Sequence, residues 1–351
     1  MTSDIKHPGA AFRAKDQRAI GRTGLFATAL GYGGAALARI KGDHANETAM
    51  ATMRAAWDAG IRYFDTAPSY GRTLSEQRLG AGLWSRPRDA FVLSTKVGRL
   101  MRPAKSIPNP DAYYYDPLPF IPEYDYTFDG VMRSFEDSLQ RLGLGRIDVL
   151  LVHDLTSRHH PDPNDLARRE VELFEGGGYR ALAALRSQGT VGAIGAGLNS
   201  WRQCERLAAR ADFDVFLLAG HYTLLDQDAL SSFLPMCARK GIGVILGGVY
   251  NTGILVTGVD GAPQYDYRPA SEAVKARVRA IEAVCREFGV PMAAAALQFP
   301  LHHPAIATVI PGMSSPDEVI SNVNLMETPV PDELYVALKT KGLLASDCPT
   351  R

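Results

Sequence analysis

Eight apolar segments recur along this chain, and a helix-like pattern follows each of them. The strand-like segments are 27–33, 61–66, 91–96, 148–153, 191–197, 215–220, 243–248 and 306–312. Strands that are apolar on both faces are expected in a parallel sheet that helices cover on both sides. Eight such alternations without a break in composition predict an α/β protein with one (β/α)8 barrel, the TIM-barrel architecture.

Helical periodicity accounts for much of the chain outside these strands. It predicts helices at 46–59, 75–85, 128–142, 179–188, 201–210, 229–240, 271–288, 316–325 and 331–345. No linker-like or low-complexity stretch divides the chain. We therefore expect a single domain over residues 1–351, with an N-terminal extension at 1–26 and a C-terminal helix and tail at 331–351.

The charge balance argues against nucleic acid as a partner. The 351 residues include 38 basic and 38 acidic side chains, whereas proteins that coat a phosphate backbone carry a basic excess. No apolar run is long enough for a signal peptide or a membrane span. We expect a cytoplasmic protein, away from membranes, that acts on a small molecule as a monomer or a homodimer.

The cysteines give no sign of a metal site. Cys204, Cys237, Cys285 and Cys348 are far apart in the chain and form no C-x-x-C pair. This spacing predicts buried or free thiols in a reducing compartment, rather than a zinc site or a disulfide framework.

Polar residues cluster where four of the predicted strands end. The clusters are FDTAPSYG (64–71), LSTKVG (93–98), LLVHD (150–154) and GAGLN (195–199). An α/β barrel places its catalytic groups at the C-terminal ends of its strands. The clusters therefore predict one site that contains Asp65, Tyr70, Lys96, His153 and Asn199.

This set of residue types suits proton transfer. A free tyrosine titrates near pH ~10, but a lysine ammonium beside it lowers its pKa, and a buried carboxylate keeps the lysine charged. We therefore expect Asp65 to hold Lys96 and Lys96 to lower the pKa of Tyr70. His153 would be a neutral imidazole that orients a substrate oxygen. Taken singly, each residue could be structural, as an ion pair, a turn tyrosine or a hydrogen-bonded histidine.

Three long loops follow strands and are expected to surround the same site. They span 98–127, 155–178 and 249–270. Such loops are equally compatible with direct substrate contact and with a role as a stabilising lid or an oligomer contact.

Nearly the whole chain resembles the aldo-keto reductase family. The motifs that carry the resemblance are FDTAPSYG, LSEQRLG (74–80), STK (94–96), LLVH (150–153) and VIPGMSSPDEVISN (309–322). The resemblance implies that Tyr70 donates or accepts the proton, that Lys96 and Asp65 tune it, and that His153 orients the substrate.

The resemblance also implies a nicotinamide cofactor. Asn199 matches the residue that binds the carboxamide, and 247–255 and 311–315 match the segments that hold the pyrophosphate and the adenosine. The cofactor residues predicted in this way are Gly33, Gly34, Asn199, Gly248, Val249, Tyr250, Asn251, Gly253, Gly312, Ser314, Glu318 and Asn322.

Three positions depart from the family pattern. Gly247 replaces the aromatic residue that stacks on the nicotinamide, and Ala219 replaces a glutamine; Tyr222 and Tyr250 are the candidates to compensate. Asp154 replaces a tryptophan after the catalytic histidine. A carboxylate there suits a polyhydroxylated substrate, so we assign Asp154 to the substrate site with Tyr70 and His153.

Residue 318 bears on the choice between NAD and NADP. Family members that use NADP place an arginine there, whereas this chain has Glu318 and no basic residue in PGMSSPDE. A carboxylate repels a 2′-phosphate but accepts a hydrogen bond from a 2′-hydroxyl, so NAD is expected. The alternative is that Glu318 only stabilises the first turn of a helix.

Within the family, YGRTLSE, GAGLN and LLAGHYTLL (217–225) are most similar to members that oxidise L-fucose, D-threo-aldoses or L-galactose. A member that oxidises pyridoxal is closely similar as well. Each of these substrates is a cyclic hemiacetal. The resemblance therefore implies NAD-dependent oxidation of the anomeric carbon to a lactone, with pyridoxal oxidation as the alternative and a non-catalytic regulatory subunit as a further one.

Overall fold

Eight parallel strands form one sheet whose two edges meet. A computed structural model of the chain describes residues 12–107, 114 and 117–350. The sheet order is β3-β4-β5-β8-β9-β10-β11-β14, and bridges of Leu30 to Val309 and of Gly33 to Gly312 close the barrel. The strands are β1 Gln17–Ala19, β2 Phe26–Thr28, β3 Tyr32–Gly33, β4 Tyr63–Asp65, β5 Val92–Val97, β6 Arg99–Pro103, β7 Phe120–Tyr124, β8 Val149–His153, β9 Ala193–Leu198, β10 Val215–Ala219, β11 Gly243–Gly247, β12 Gln264–Tyr265, β13 Arg268–Pro269 and β14 Ile306–Val309. The predicted (β/α)8 barrel is confirmed.

Helices cover the outside of the barrel. They are α1 Ala45–Asp58, α2 Leu74–Leu83, α3 Phe128–Leu142, α4 Pro163–Phe174, α5 Gly178–Ser187, α6 Trp201–Arg210, α7 Phe233–Lys240, α8 Ile254–Thr257, α9 Glu272–Glu287, α10 Met292–Gln298, α11 Pro316–Glu327 and α12 Asp332–Thr340. Four short 3-10 helices span Gly34–Arg39, Arg88–Ala90, Asp228–Ser231 and Phe299–His302. None of the helices in the described ranges is long and apolar enough to cross a membrane.

Three of these helices, α4, α8 and α10, escaped prediction. α10 is buried along its whole length, so its sequence MAAAALQ shows no alternation between an apolar and a polar face. α4 lies inside the predicted loop 155–178, where Asp162 caps it and Pro163 is its first residue.

The predicted helix 229–240 is divided, because Ser232 has an extended φ of −153° between a 3-10 turn and α7.

The N-terminal segment closes the bottom of the barrel. The predicted strand 27–33 is divided into β2, which pairs antiparallel with β1, and β3, which belongs to the barrel. Ile20 and Ala27 of this hairpin region pack against Val149 and Val215 inside the barrel. Part of the predicted extension 1–26 is therefore barrel floor, at the end of the barrel opposite the polar clusters.

The three long loops follow β5, β8 and β11. The first contains the antiparallel hairpin of β6 and β7, and its residues 108–113, 115 and 116 lie outside the described ranges. The second contains α4, and the third contains α8 and the hairpin of β12 and β13. Each loop thus lies on the side of the barrel where the polar clusters were predicted.

Candidate active site

Asp65 and Lys96 form a buried ion pair. Asp65 ends β4 beside Ser94 of β5, and Lys96 is two residues further along β5 on the same face. Lys96 Nζ donates to the Asp65 oxygens at 2.9 and 2.8 Å and to the Thr66 carbonyl at 2.8 Å. Burial raises the pKa of Asp65 above its ordinary value, while Lys96 and the Ser94 hydroxyl oppose this rise. The predicted pair is therefore formed, with Ser94 as a partner that the sequence did not reveal.

Tyr70 lies above this pair, in the turn between β4 and α2. Lys96 Nζ is 4.7 Å from the centroid of the Tyr70 ring. Burial, followed by the charge of Asp65, raises the pKa of Tyr70 well above its ordinary value. The expected lowering of this pKa was wrong, because burial and the charge of Asp65 dominate it, while the N–H groups of Lys96 are donated to Asp65 and Thr66.

His153 completes the group at the end of β8. Its ring is 5.7 Å from that of Tyr70 in an edge-on arrangement, and its Nδ1 is 3.4 Å from the Ser69 hydroxyl. Burial and then the charge of Arg99 lower the pKa of His153 well below its ordinary value. The imidazole is therefore neutral at physiological pH, as the sequence predicted.

A small residue on β9 leaves room for the lysine. His153 pairs in register with Gly197 of GAGLN. A Cβ atom on Gly197 would lie 3.0 Å from Lys96 Cε, closer than side chains ordinarily pack. Residue 197 is therefore glycine because the Lys96 side chain lies directly beside it.

Asp154 and Arg99 form a second polar cluster beside His153. Asp154 has a left-handed backbone conformation with φ 51°, and its N–H donates to the Gly197 carbonyl at 3.0 Å. Its carboxylate is ion-paired with Arg99 Nη2 and lies 3.2 Å from His153 Nε2. Sequence reasoning missed Arg99, since only the β6–β7 hairpin brings this residue to the site.

These side chains line one cavity of about 570 Å³. Tyr70, Lys96, His153, Asp154 and Asn199 all contribute to its wall, as does Arg99. The long loops also reach it: Tyr114 comes from the first, Arg158 from the second, and Gln264 and Tyr267 from the third. The expectation that these loops surround the site is confirmed.

Small residues border the cavity where the family has larger ones. Ala219 of β10 and Gly247 of β11 are paired in register. A Cβ atom built on Gly247 would lie 3.6 Å from Leu217, which is ordinary van der Waals contact, so a small side chain would fit at this corner. Tyr222 cannot fill it: its side chain is fully buried and packs against Phe299, with ring centroids 5.0 Å apart. The suggestion that Tyr222 compensates was therefore wrong.

The turn after β11 connects to α11. Tyr250 donates its hydroxyl proton to Asn322 Oδ1 at 2.7 Å, and Asn322 Nδ2 donates to the Glu318 carbonyl at 2.8 Å. Two segments predicted to hold one cofactor are thus in contact. The hydroxyl of Tyr250 is thereby held at α11, and a role for its ring beside the nicotinamide stays a prediction.

The same turn has an unusual backbone. Gly248, Asn251, Thr252 and Gly253 have positive φ values of 64°, 47°, 61° and 99°, and Val249 is buried among them. Turns with left-handed residues are found where backbone N–H groups hold an anion, although here the N–H groups of Asn251 and Gly253 donate to the Gly248 and Tyr250 carbonyls at 2.9 and 3.0 Å. Asn251 is only 6% exposed, and its Oδ1 has no hydrogen-bond partner among the described residues. Such an oxygen is available to accept a hydrogen bond from a ligand or from an ordered water.

Glu318 caps the start of α11. Its Oε2 accepts from the N–H of Ser314 at 2.6 Å and from the Ser314 hydroxyl at 3.0 Å, while Ser315 is the N-cap residue. This contact matches the helix-terminus alternative that the sequence left open. It also places an exposed carboxylate next to Gly312 and Ser314, within the predicted cofactor segment.

Gly33 and Gly34 are explained by closure of the barrel. Both are buried, and a Cβ atom on Gly34 would lie 2.3 Å from the Asp65 carbonyl oxygen. A Cβ atom on Gly33 would lie 2.7 Å from the Ile310 carbonyl oxygen. The absence of a side chain lets the backbone of Gly34 approach Asp65 closely and that of Gly33 approach Ile310, where the barrel closes.

The arrangement fits a nicotinamide dinucleotide. Asn199 offers an amide at the cavity wall, the small residue Ala219 lies beside it, and the turn 248–253 has the left-handed backbone found in anion-binding turns. No group of three or more His, Cys, Asp or Glu residues in the described ranges has the arrangement of a metal site. All four cysteines are free and buried.

Comparisons with known proteins identify the family of this chain. The model of the Aldo/keto reductase family matches residues 29–342. Pyridoxal 4-dehydrogenase of Microbacterium luteolum is 42% identical over 95% of this chain and 99% of its own. D-threo-aldose 1-dehydrogenase of a Pseudomonas species is 38% identical over 92% of this chain and 96% of its own.

A solved structure supports the fold assignment. The aldo-keto reductase of Bacillus halodurans superimposes with a TM-score of 0.68 at 25% identity, over 93% of this chain and 96% of that chain. The chain therefore belongs to the aldo-keto reductase family, and it is an oxidoreductase that acts on CH–OH groups with a nicotinamide cofactor, NAD or NADP.

Proposed function

We propose that this enzyme oxidises the anomeric carbon of a cyclic hemiacetal to a lactone and uses NAD. The observation that supports this most strongly is the convergence of Tyr70, Lys96 and His153 on a cavity whose wall also carries Asp154 and Arg99. A proton-transfer group beside a hydrogen-bonding wall suits a substrate with several hydroxyl groups.

Tyr70 would accept the proton of the anomeric hydroxyl in the direction of oxidation. Lys96, 4.7 Å from the ring, favours the negative charge of the phenolate that must form. Asp65 keeps Lys96 charged and fixed in direction. Neutral His153 would orient the substrate oxygen, and Asp154 would accept a hydrogen bond from a neighbouring hydroxyl. When bound, the nicotinamide ring would be the acceptor for the hydride that leaves the anomeric carbon.

The cofactor residues divide into three groups. Asn199 would hold the carboxamide, and the turn formed by Gly248, Val249, Tyr250, Asn251 and Gly253 would hold the pyrophosphate. Gly312, Ser314, Glu318 and Asn322 would border the adenosine, while Gly33 and Gly34 shape the barrel edge beside them. NAD is favoured because the exposed Glu318 carboxylate stands in a segment, 311–322, that has no basic residue.

A second candidate function is oxidation of pyridoxal. The relative at 42% identity, which matches over nearly its whole length, is a pyridoxal 4-dehydrogenase. The tyrosines Tyr70, Tyr114 and Tyr267 line the cavity, and aromatic walls suit a flat pyridine ring. A non-catalytic regulatory role has no comparable support, because every side chain expected to carry the chemistry is present.

One experiment tests the proposal and separates the two candidates. Purified enzyme with NAD⁺ is offered L-fucose, a D-threo-aldose, L-galactose and pyridoxal, and NADH formation and the first product are followed by absorbance and mass spectrometry. We expect a lactone from at least one substrate, and the highest kcat/KM identifies the class. Absence of NADH with all four substrates, despite cofactor binding, would refute the proposed reaction.

A further inference from the structure

His221 connects two loops at the rim of the active site. It follows β10 by two residues, and its ring lies between a carboxylate and a backbone carbonyl. Nδ1 is 2.9 Å from Asp226 Oδ2, and Nε2 is 3.0 Å from the carbonyl oxygen of Asn199. Both partner atoms can only accept hydrogen bonds, so both contacts form only when both ring nitrogens carry a proton.

We infer that His221 is a positioning residue for Asn199, because its ring ties the Asn199 carbonyl to Asp226 and thereby directs the amide that faces the cofactor. The inference rests on the proposed function, in which Asn199 holds the carboxamide. His221 itself is not among the residues that line the cavity.

The position of Asn199 explains why one carbonyl contact matters. Asn199 is the residue after β9, and Ser200 caps α6 by accepting from the Gln203 N–H at 3.3 Å. The peptide unit between Asn199 and Ser200 is thus the joint between a strand and a helix. Because rotamers depend on backbone dihedrals, fixing this peptide unit restricts the direction of the Asn199 amide.

The other end of the bridge is itself held firmly. Asp226 Oδ1 accepts from the Asp228 N–H at 2.9 Å, and the Asp226 N–H donates to the Thr223 hydroxyl at 3.2 Å. The Thr223 N–H in turn donates to the Asp226 carbonyl at 2.7 Å. Asp226 is therefore an anchor within a closed turn, and a hydrogen bond to it immobilises the His221 ring.

The charges around the ring favour its doubly protonated form. The hydrogen bond to Asp226 raises the pKa of His221 above its ordinary value, and Asp266 of the β12–β13 hairpin adds to this, while burial opposes it. Asp266 also forms an ion pair with Arg158, which comes from the loop after β8. Since the pKa is raised, the two-bond bridge is present below it and one bond is lost as the pH increases through it. The side chain is 35% exposed, so solvent protons reach it.

Cofactor affinity as a function of pH tests this role. Isothermal titration calorimetry gives the Kd for NAD⁺ in the absence of substrate, from about pH 5 to about pH 9, a range that spans the ordinary histidine titration. In wild type, we expect affinity to fall roughly tenfold as the pH rises, as expected for loss of a hydrogen bond to a charged group. His221→Gln retains N–H donors at every pH and should abolish this dependence. His221→Phe should bind weakly throughout.

Two further variants make the test decisive. His44→Gln removes an exposed histidine outside the cavity and should keep the wild-type profile. Asn199→Ala should lower NAD⁺ affinity at every pH. If Asn199→Ala binds normally, the cofactor assignment of Asn199 is wrong, and the role of His221 falls with it. If Asn199→Ala weakens binding while His221→Gln keeps the wild-type pH profile, only the inference about His221 is overturned.

Discussion

The guanidinium of Arg99 and the carboxylate of Asp154 form an ion pair in the wall of the active-site cavity, with side chains only 11% and 18% exposed. Arg99 comes from β6, and Asp154 directly follows His153 at the end of β8. The pair thus joins a loop hairpin to the barrel. The charge of Arg99 also contributes, after burial, to the low pKa of His153.

Arg99→Leu should change the pH dependence of the reaction. Without the positive charge, the pKa of His153 rises, so the neutral imidazole is lost at a higher pH than in wild type. The acid limb of the kcat/KM profile should shift towards higher pH, and kcat/KM should fall roughly tenfold or more because Asp154 loses its partner.

Arg102→Leu is the matched control for this prediction. Arg102 lies on the same strand and pairs with Glu123 at an exposed position outside the cavity. Its loss should leave the pH profile as in wild type. An acid limb that does not move in Arg99→Leu would show that Arg99 does not influence His153.

Tyr70→Phe should abolish most turnover while cofactor binding persists. Loss of a general acid–base group costs ~10²–10⁴-fold in rate. Because the pKa of Tyr70 is raised, the phenolate needed for oxidation forms only at alkaline pH, so the wild-type oxidation rate should increase with pH into the alkaline range. Steady-state kinetics and NAD⁺ titration measure both effects, and a variant with wild-type kcat would remove Tyr70 from the mechanism.

Asp65→Asn should destabilise the fold as well as inactivate the enzyme. The change leaves the Lys96 ammonium, 1% exposed, without its counter-charge, and a broken buried pair costs about 3–5 kcal/mol. The free energy of unfolding in urea measures this loss. The double variant Asp65→Asn with Lys96→Met should recover much of the stability, because no buried charge remains, yet stay inactive. A double variant no more stable than the single one would contradict this explanation.

Glu318→Arg should reduce or invert the preference for NAD. A carboxylate about 4 Å from a 2′-phosphate costs about 1 kcal/mol per charge pair in a water-like medium, which is several-fold in affinity, whereas a guanidinium binds phosphate through two hydrogen bonds. Ser314→Arg should add to the change. The measurement is kcat/KM with each cofactor.

Glu318→Gln separates selectivity from helix capping. The amide oxygen can still accept from the Ser314 N–H, so the cap persists while the charge is lost. We expect a weaker NAD preference in this variant with little change in stability. In Glu318→Arg, by contrast, loss of the cap should cost ~1 kcal/mol of stability. Preference for NADP⁺ in wild type would show that the phosphate binds elsewhere.

The sequence was most informative where the barrel imposes a simple rule. Polar residues at the ends of Val-, Leu- and Ile-rich strands predicted that Asp65, Lys96 and His153 would meet, and they line or border one cavity. The parallel sheet brings the C-terminal ends of all its strands to the same side, so the position of a residue along its strand was sufficient to predict that these side chains would meet. The electrostatic consequence was less accessible, because the high pKa of Tyr70 follows from its burial and from the charge of Asp65 in the folded protein.

Two residues that lie beyond the barrel strands were missed. Arg99 begins β6 in the loop after β5, and His221 lies in the turn after β10; the sequence has no periodic pattern that indicates where such a segment folds back. The left-handed turn at Asn251 and Thr252 was likewise unpredicted, because its conformation departs from what side chains ordinarily favour.

By itself, the sequence determined the barrel and the order of its strands, and it predicted four side chains as candidates for catalysis, since burial of apolar strands acts locally and repeats along the chain. The tertiary structure alone decided the pairing of Arg99 with Asp154, the bridge from Asp226 through His221 to Asn199, and the capping contact of Glu318. The first two contacts join segments that folding brings together across the barrel rim. The third depends on the path of a single turn. Hydrogen bonds and ion pairs need atoms within about 3 Å at defined angles, which an alternation of apolar and polar residues does not encode.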